Sequence, residues 1–152
     1  RLPTGMEQPA EEIVELAAAD YMRVVDLWQR AGLKFRPGGR DSAAAFAGPT
    51  ASGRQTVLGA IEGESLIGVV LVTHDGRKGW INRLAVDPAY RHQGLGTRLI
   101  AAAEQHLHRQ GIDVIAALIT EKNTASQAVF TRAGYQHDPT VLYFSKRSNP
   151  EA

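Results

Sequence analysis

The chain has 152 residues, 43% of them hydrophobic and 22% charged, with a formal net charge of +1. That is enough for one domain with a single buried core, and the near-neutral charge, with no basic stripe among aromatics, excludes a general nucleic-acid binder. Cysteine is absent, which excludes disulfides, thiolate metal sites and a cysteinyl acyl-enzyme.

Residues 1–12 are polar, hold two prolines and read as no secretory signal. No run approaches the roughly 18 apolar residues that span a bilayer, so no membrane partner is expected and the localisation reads as cytoplasmic. Ile13 to Leu16 suits a short strand. Tyr21, Val24, Val25, Trp28 and Ala31 follow at helical spacing, with Asp20 placed to cap the start and Gly32 to stop the end. Lys34 to Gly53 is rich in Gly, Pro and Ala. It reads as a loop with a short helix near Ser42 to Ala47, a natural substrate-facing lid.

Three strands are expected next, at 55–61, 66–73 and 80–86, with hairpin turns at Glu62-Gly63-Glu64 and His74-Asp75-Gly76-Arg77. Leu95, Leu99, Ile100, Ala103 and Leu107 mark an amphipathic helix over 95–110, which Gly111 ends. The run 114–119 is apolar throughout, as in a strand covered on both faces. A second helix over about 124–133 leads to a closing strand near Val141 to Phe144. The expected whole is one domain over 12–147, with flexible tails at 1–11 and 148–152. No repeat or low-complexity segment interrupts it.

The run Leu84-Ala85-Val86-Asp87-Pro88-Ala89-Tyr90-Arg91-His92-Gln93-Gly94-Leu95-Gly96-Thr97 carries the most chemistry. It reads as a buried strand, a proline-marked turn, a basic glycine loop and the first turn of a long helix. Such a junction gathers free main-chain N–H groups at the positive end of a helix dipole, where phosphate binds. Glycine at 94 and 96 allows close approach of an anion. Two familiar phosphate loops do not fit. Gly96 is followed by Thr97-Arg98, without the lysine of a P-loop, and two glycines stand where a dinucleotide fingerprint needs three.

Arg91-x-x-Gly94-x-Gly96 after Leu84-Ala85-Val86 resembles the coenzyme A signature of the GNAT family of N-acetyltransferases. Downstream, Asn123-x-x-x-x-Ala128-Val129-Phe130-x-x-x-Gly134-Tyr135 is similar to the family's second signature. The resemblance is specific from about Trp80 to Tyr135. It implies the α/β acyl-CoA N-acyltransferase fold: a mixed, mostly antiparallel sheet, splayed between the strands at 80–86 and 114–119, with helices on both faces. It also implies acetyl-CoA as co-substrate, without a metal, in the splayed cleft. Leu84, Ala85 and Val86 would offer main-chain groups to the pantetheine arm and thioester. Arg91, His92, Gln93, Gly94, Leu95, Gly96 and Thr97 would cradle the pyrophosphate. Asn123 would steady the cofactor, and Phe130 would pack near its sulfur end. The acceptor would be a small-molecule amine or a protein N-terminus, and a homodimer through the last strand is a further family-level implication.

Departures from the family pattern fall on its acid and base. A tyrosine commonly stands where Phe130 does, to protonate the departing thiolate, and phenylalanine cannot donate a proton. A glutamate commonly stands at Asn82 or Leu118, and neither residue here is a base. The catalytic residues are therefore unassigned. Glu121, Glu62, His74, His137, Tyr135 and Tyr143 are open candidates. His106 and His108 read as solvated surface residues, Trp28 as core, and Arg36 and Asp41 as candidate substrate contacts. The stretch from Leu84 to Arg91 is similar to that of ribosomal-protein alanine acetyltransferases, which keep the glutamate and tyrosine missing here. Two readings compete with the enzyme. One is a non-catalytic acyl-CoA-binding or regulatory module, and the other a phosphate-binding domain that shares only the loop.

Overall fold

A computed structural model describes residues 11–152. Of the tail expected at 1–11, only Glu11 falls within that range. Five strands form one sheet in sequential order: β1 (Glu12–Leu16), β2 (Gln55–Glu62), β3 (Ser65–His74), β4 (Lys78–Val86) and β5 (Val114–Ala116). The first four run antiparallel; for β2–β3 and β3–β4 the turns at 63–64 and 75–77 are too short for anything else, while β1 reaches β2 through the two helices between them. The second turn is set by Asp75, whose carboxylate accepts the N–H groups of Arg77 and Lys78, each at 2.8 Å. The β4–β5 pair is parallel and needs a crossover, which α3 (Leu95–Arg109) supplies.

Alternation along the strands feeds two apolar clusters. On one face Val70, Val72 and Ile81 meet Leu95, Leu99, Ile100, Ala103 and Leu107 of α3, joined by Phe130 of α4 (Thr124–Arg132). On the other, Val57, Val69, Leu71 and Ala85 meet Val24, Val25, Leu27 and Trp28 of α1 (Tyr21–Arg30) and Phe46 of α2 (Ala43–Ser52). Each fully buried Leu, Ile or Val contributes roughly 1.5–3 kcal/mol, so these two layers carry most of the stabilisation. The mixed, mostly antiparallel sheet with helices on both faces is the expected architecture.

Some boundaries differ from expectation. The short helix near 42–47 is a ten-residue helix, α2. Ser42 caps it by accepting the Ala45 N–H at 3.1 Å, and it continues through Pro49, whose missing N–H leaves Ala45 without its helical donor. The strand expected over 114–119 is only Val114–Ala116. The closing strand near 141–144 does not form: Val141, Leu142, Tyr143 and Phe144 are 65–87% exposed. Four apolar residues in a row satisfy strand propensity, but a strand also needs a paired edge. Here Asp138 turns the chain first, accepting both the N–H and the hydroxyl of Thr140. Among the described residues no helix is long and apolar enough to cross a membrane.

Candidate functional site

The β4–β5 ladder is only three residues long, pairing Lys78 with Val114, Gly79 with Ile115 and Trp80 with Ala116. Beyond Trp80 the two strands part, and β4 from Ile81 to Val86 keeps β3 as its partner on one side and, among the described residues, has no strand on the other. Leu84, Ala85 and Val86 lie on this open edge. Unpaired main-chain donors and acceptors at a half-covered edge are a template for a ligand that can pair as a strand would.

At the end of that edge the chain turns through Asp87 and a 3-10 turn over Pro88–Tyr90. Asp87 organises the turn. Its main-chain N–H donates to the Ile67 carbonyl at 2.8 Å, one carboxylate oxygen accepts the Ala89 N–H at 2.9 Å, and the other pairs with Arg30. Arg30 also donates to the Leu66 carbonyl at 3.1 Å and to Asp26 at 2.8 Å, so the end of α1 is fastened to the start of the turn. Tyr90 is fixed by donating its hydroxyl to Glu62 at 2.9 Å. That bond and the Glu62 charge push the phenol above its ordinary range, and it is held as a donor.

Arg91, His92, Gln93 and Gly94 follow as an exposed loop. His92 (φ 63°) and Gly94 (φ 78°) are both left-handed, on either side of Gln93. Such curling turns successive N–H groups toward one side and makes an anion-binding concavity, here at the N-terminus of α3. Sequence reasoning placed His92 in the loop and missed its backbone conformation; histidine is only several-fold enriched in this region, too weak a signal for one position. Arg98 was missed as well. It donates to the Gln93 carbonyl at 3.0 Å and, at 2.9 and 2.8 Å, to both oxygens of Glu11, tying the loop to the start of β1.

The other expected site residues divide. The guanidinium of Arg91 donates to the Ala31 carbonyl at 3.0 Å, capping α1 from across the turn. Leu95 is buried, and Thr97 is exposed on the first turn of α3. Gly96 faces α4, where an added Cβ would stand 3.2 Å from Val129 Cγ1. Absence of a side chain there serves the α3–α4 contact. Asn123 caps α4, accepting the Ser126 N–H at 3.0 Å. Phe130 is 5% exposed and stands edge-on to Tyr135, with ring centres 5.0 Å apart.

Among the candidate acids and bases, His74 is placed at the wrong end of the sheet. It pairs with Gly79, seven residues before Val86, or about 23 Å at a strand's rise per residue. Tyr135 donates its hydroxyl to Glu104 at 2.7 Å, and burial followed by that bond pushes the phenol above its ordinary range. Glu62 is engaged by Tyr90. His137 and Tyr143 are exposed, as is Leu118 at the position of a family base. Asn82 reaches Thr73 at 3.5 Å. No titratable group of β4 or β5 faces the open edge in place of the missing glutamate.

His106 corrects another expectation: it is part of a directed network rather than a solvated residue. The Gly76 N–H donates to His74 Nδ1 at 3.0 Å, which leaves the proton on His74 Nε2 to donate to Gln110 Oε1 at 2.6 Å. The Gln110 amide then donates to His106 Nε2 at 2.9 Å, and the Thr56 hydroxyl lies 3.1 Å from the same nitrogen. Accepting the Gln110 amide requires a neutral His106 imidazole. Burial lowers the His106 pKa, with Glu15 opposing and Arg109 and His74 adding to the shift. The unfolded chain therefore binds a proton at His106 before the folded one does, and stability should fall as pH drops below about 6.5. His106→Gln should shrink the difference in thermal midpoint between pH 7.5 and 5.5; a difference equal to the parent's would refute this origin. His108 is exposed, though its ring still bonds the Ile112 carbonyl at 3.1 Å.

A mixed sheet split at its parallel pair, with a glycine loop and a helix start beside the split, is the arrangement of the acyl-CoA N-acyltransferase fold. Known proteins agree. The profile of the Acetyltransferase (GNAT) family matches residues 13–135, and the chain belongs to that family. An acetyltransferase of Photorhabdus laumondii is 28% identical over 130 residues, covering 84% of this chain and 89% of the relative. The PaiA N-acetyltransferase of Thermoplasma acidophilum in complex with coenzyme A superposes with a TM-score of 0.75 at 19% identity, over 86% of this chain and 92% of that one. AAC(6')-Iy in complex with a bisubstrate analogue gives 0.74 at 20% identity, over 90% and 98%.

Proposed function

We propose that the chain is an acetyl-CoA-dependent N-acetyltransferase, a single domain over 12–147 acting in the cytoplasm, that moves an acetyl group to a primary amine by direct attack on the thioester. One observation supports this reading: the unpaired edge of β4 leads into a loop with two left-handed residues at the N-terminus of α3, an arrangement that suits a pyrophosphate. Acetyl-CoA, when bound, supplies the activated acetyl group. Leu84, Ala85 and Val86 present main-chain groups to its arm, and an N–H there stabilises charge on the thioester oxygen, the kind of donor whose loss costs about 10²–10³ in rate. Arg91 to Thr97 hold the phosphates with main-chain N–H groups at the positive end of α3, with the Arg91 guanidinium adding positive charge. Asn123 and Phe130 act from α4. The absence of cysteine removes a thiol acyl-enzyme and favours direct transfer.

Several structurally similar proteins are aminoglycoside acetyltransferases, and one is a ribosomal-protein-alanine N-acetyltransferase. We favour a small-molecule amine, because the family base and acid of the second group are absent here. The test is a panel of amines with acetyl-CoA, followed by thiol release, with calorimetric titration of acetyl-CoA alongside. Release with at least one amine is expected. Binding without release from any would favour the second reading, a non-catalytic acyl-CoA-binding module, which Asn82, Leu118 and Phe130 support. Absence of binding would leave a phosphate-binding domain of another kind.

Phe130→Tyr probes the missing acid. Coenzyme A leaves well as a thiolate, so the rate should stay within a few-fold of the parent. A rise toward 10², the lower range for general acid assistance, would show the phenol's absence to be a handicap.

A further inference from the structure

The open edge of β4, from Ile81 to Val86, contains a bulge. Leu71 faces Asn82 and Val69 faces Ala85, so Arg83 and Leu84 together oppose the single Val70. The left-handed position of such a bulge ordinarily belongs to glycine, yet Arg83 occupies it with a φ of 54°. The extra residue also changes faces. Ile81 lies against α3, Ala85 against α1, and the Arg83 side chain lands on the α1 face. There its guanidinium stacks 4.4 Å over the Trp28 ring, donates to the Lys34 carbonyl at 2.7 Å and pairs with Asp41 at 3.4 Å. Asp41, 5% exposed, in turn accepts the Arg36 N–H at 2.9 Å. One side chain thus fastens both ends of segment 34–41 to the residue that precedes Leu84. Stability alone does not account for this cluster, because Arg83 Nε and Trp28 Nε1 are buried in it without a partner among the described residues.

We propose that Arg83 is the positioning residue that sets the acceptor side of the cleft, by holding segment 34–41 against the open β4 edge. This rests on the acetyltransferase reading of that edge. Arg83 acts through the segment and the bulge rather than on the reacting atoms, so its removal separates two effects. In Arg83→Gly the left-handed bulge keeps the residue type that suits it, and acetyl-CoA affinity should stay within about threefold of the parent. Segment 34–41 then keeps the Tyr21 hydroxyl on the Asp41 carbonyl and Arg36 on the Pro150 carbonyl but loses its tie to β4, and its amides should exchange about tenfold faster or more. For any amine the panel shows to be acetylated, KM for the amine should rise about tenfold while KM for acetyl-CoA holds, a split that a general loss of structure would not produce. Arg83→Lys should recover only part of this, since an ammonium cannot span Lys34 and Asp41 as the planar fork does. Asp41→Asn gives a second approach that leaves β4 untouched and should loosen the same segment. Unchanged exchange over 34–41 in both Arg83→Gly and Asp41→Asn overturns the proposal, as does a loosened segment with an unchanged KM for the amine. A parent protein that binds no acetyl-CoA overturns instead the reading on which the proposal rests, while the exchange data still decide the anchoring.

Discussion

Gly94→Val should weaken acetyl-CoA binding by roughly 10–10²-fold, the loss of one charge-assisted hydrogen bond of about 1.5–3 kcal/mol. Gly94 combines two demands: a φ of 78° and the N-cap position of α3, where its carbonyl accepts the Arg98 N–H at 3.1 Å. A β-branched residue resists the left-handed region, so the loop must reorient or carry strain. Either way the N–H groups that follow it lose their common aim. Gly96→Val is a poorer probe of the same site, since its side chain would press on Val129 and disturb α3 against α4. Calorimetric titration of a Gly94→Val protein, shown folded by its denaturant transition, decides the matter. Unchanged affinity would remove the loop from the cofactor site.

The signals that were legible in the sequence are those with a period or a marked turn. Asp75-Gly76 marked a hairpin, the apolar stripe of α3 marked its buried face, and the spacing around Gly94 marked the passage from β4 to the start of α3. What escaped depends on a single residue's backbone or on a distant partner. The bulge at Arg83 inserts one residue into a strand that otherwise alternates, and no side-chain pattern announces an arginine in a glycine's conformation. Its guanidinium contacts, like Arg98 with Glu11 and Arg30 with Asp87, join residues dozens of positions apart. Val141 to Phe144 shows the opposite error. Local propensity there was read as a strand, although the edge it needed is only three residues long at β5.

Hydrogen exchange on adding acetyl-CoA should slow by up to about 10²-fold at Leu84 to Val86 and at Arg91 to Thr97. That figure follows from linkage: a ligand at 100 times its Kd stabilises the bound form by about 2.7 kcal/mol, and amides that open without full unfolding feel all of it. The location follows from pairing. On β4 from Ile81 to Val86, main-chain groups directed away from β3 meet no strand among the described residues, because the parallel ladder stops at Trp80 and Ala116. Pairing by an extended arm would close them for the first time. β2 and β3 are flanked by strands on both sides, so their amides are already protected and should change little. The loop should respond together with the edge, since one molecule would bridge the two. Protection spread evenly over the sheet would mean that the ligand merely raises global stability. Protection confined to 34–53 would place the ligand on the α1–α2 side, away from β4, and the open edge would then need another explanation.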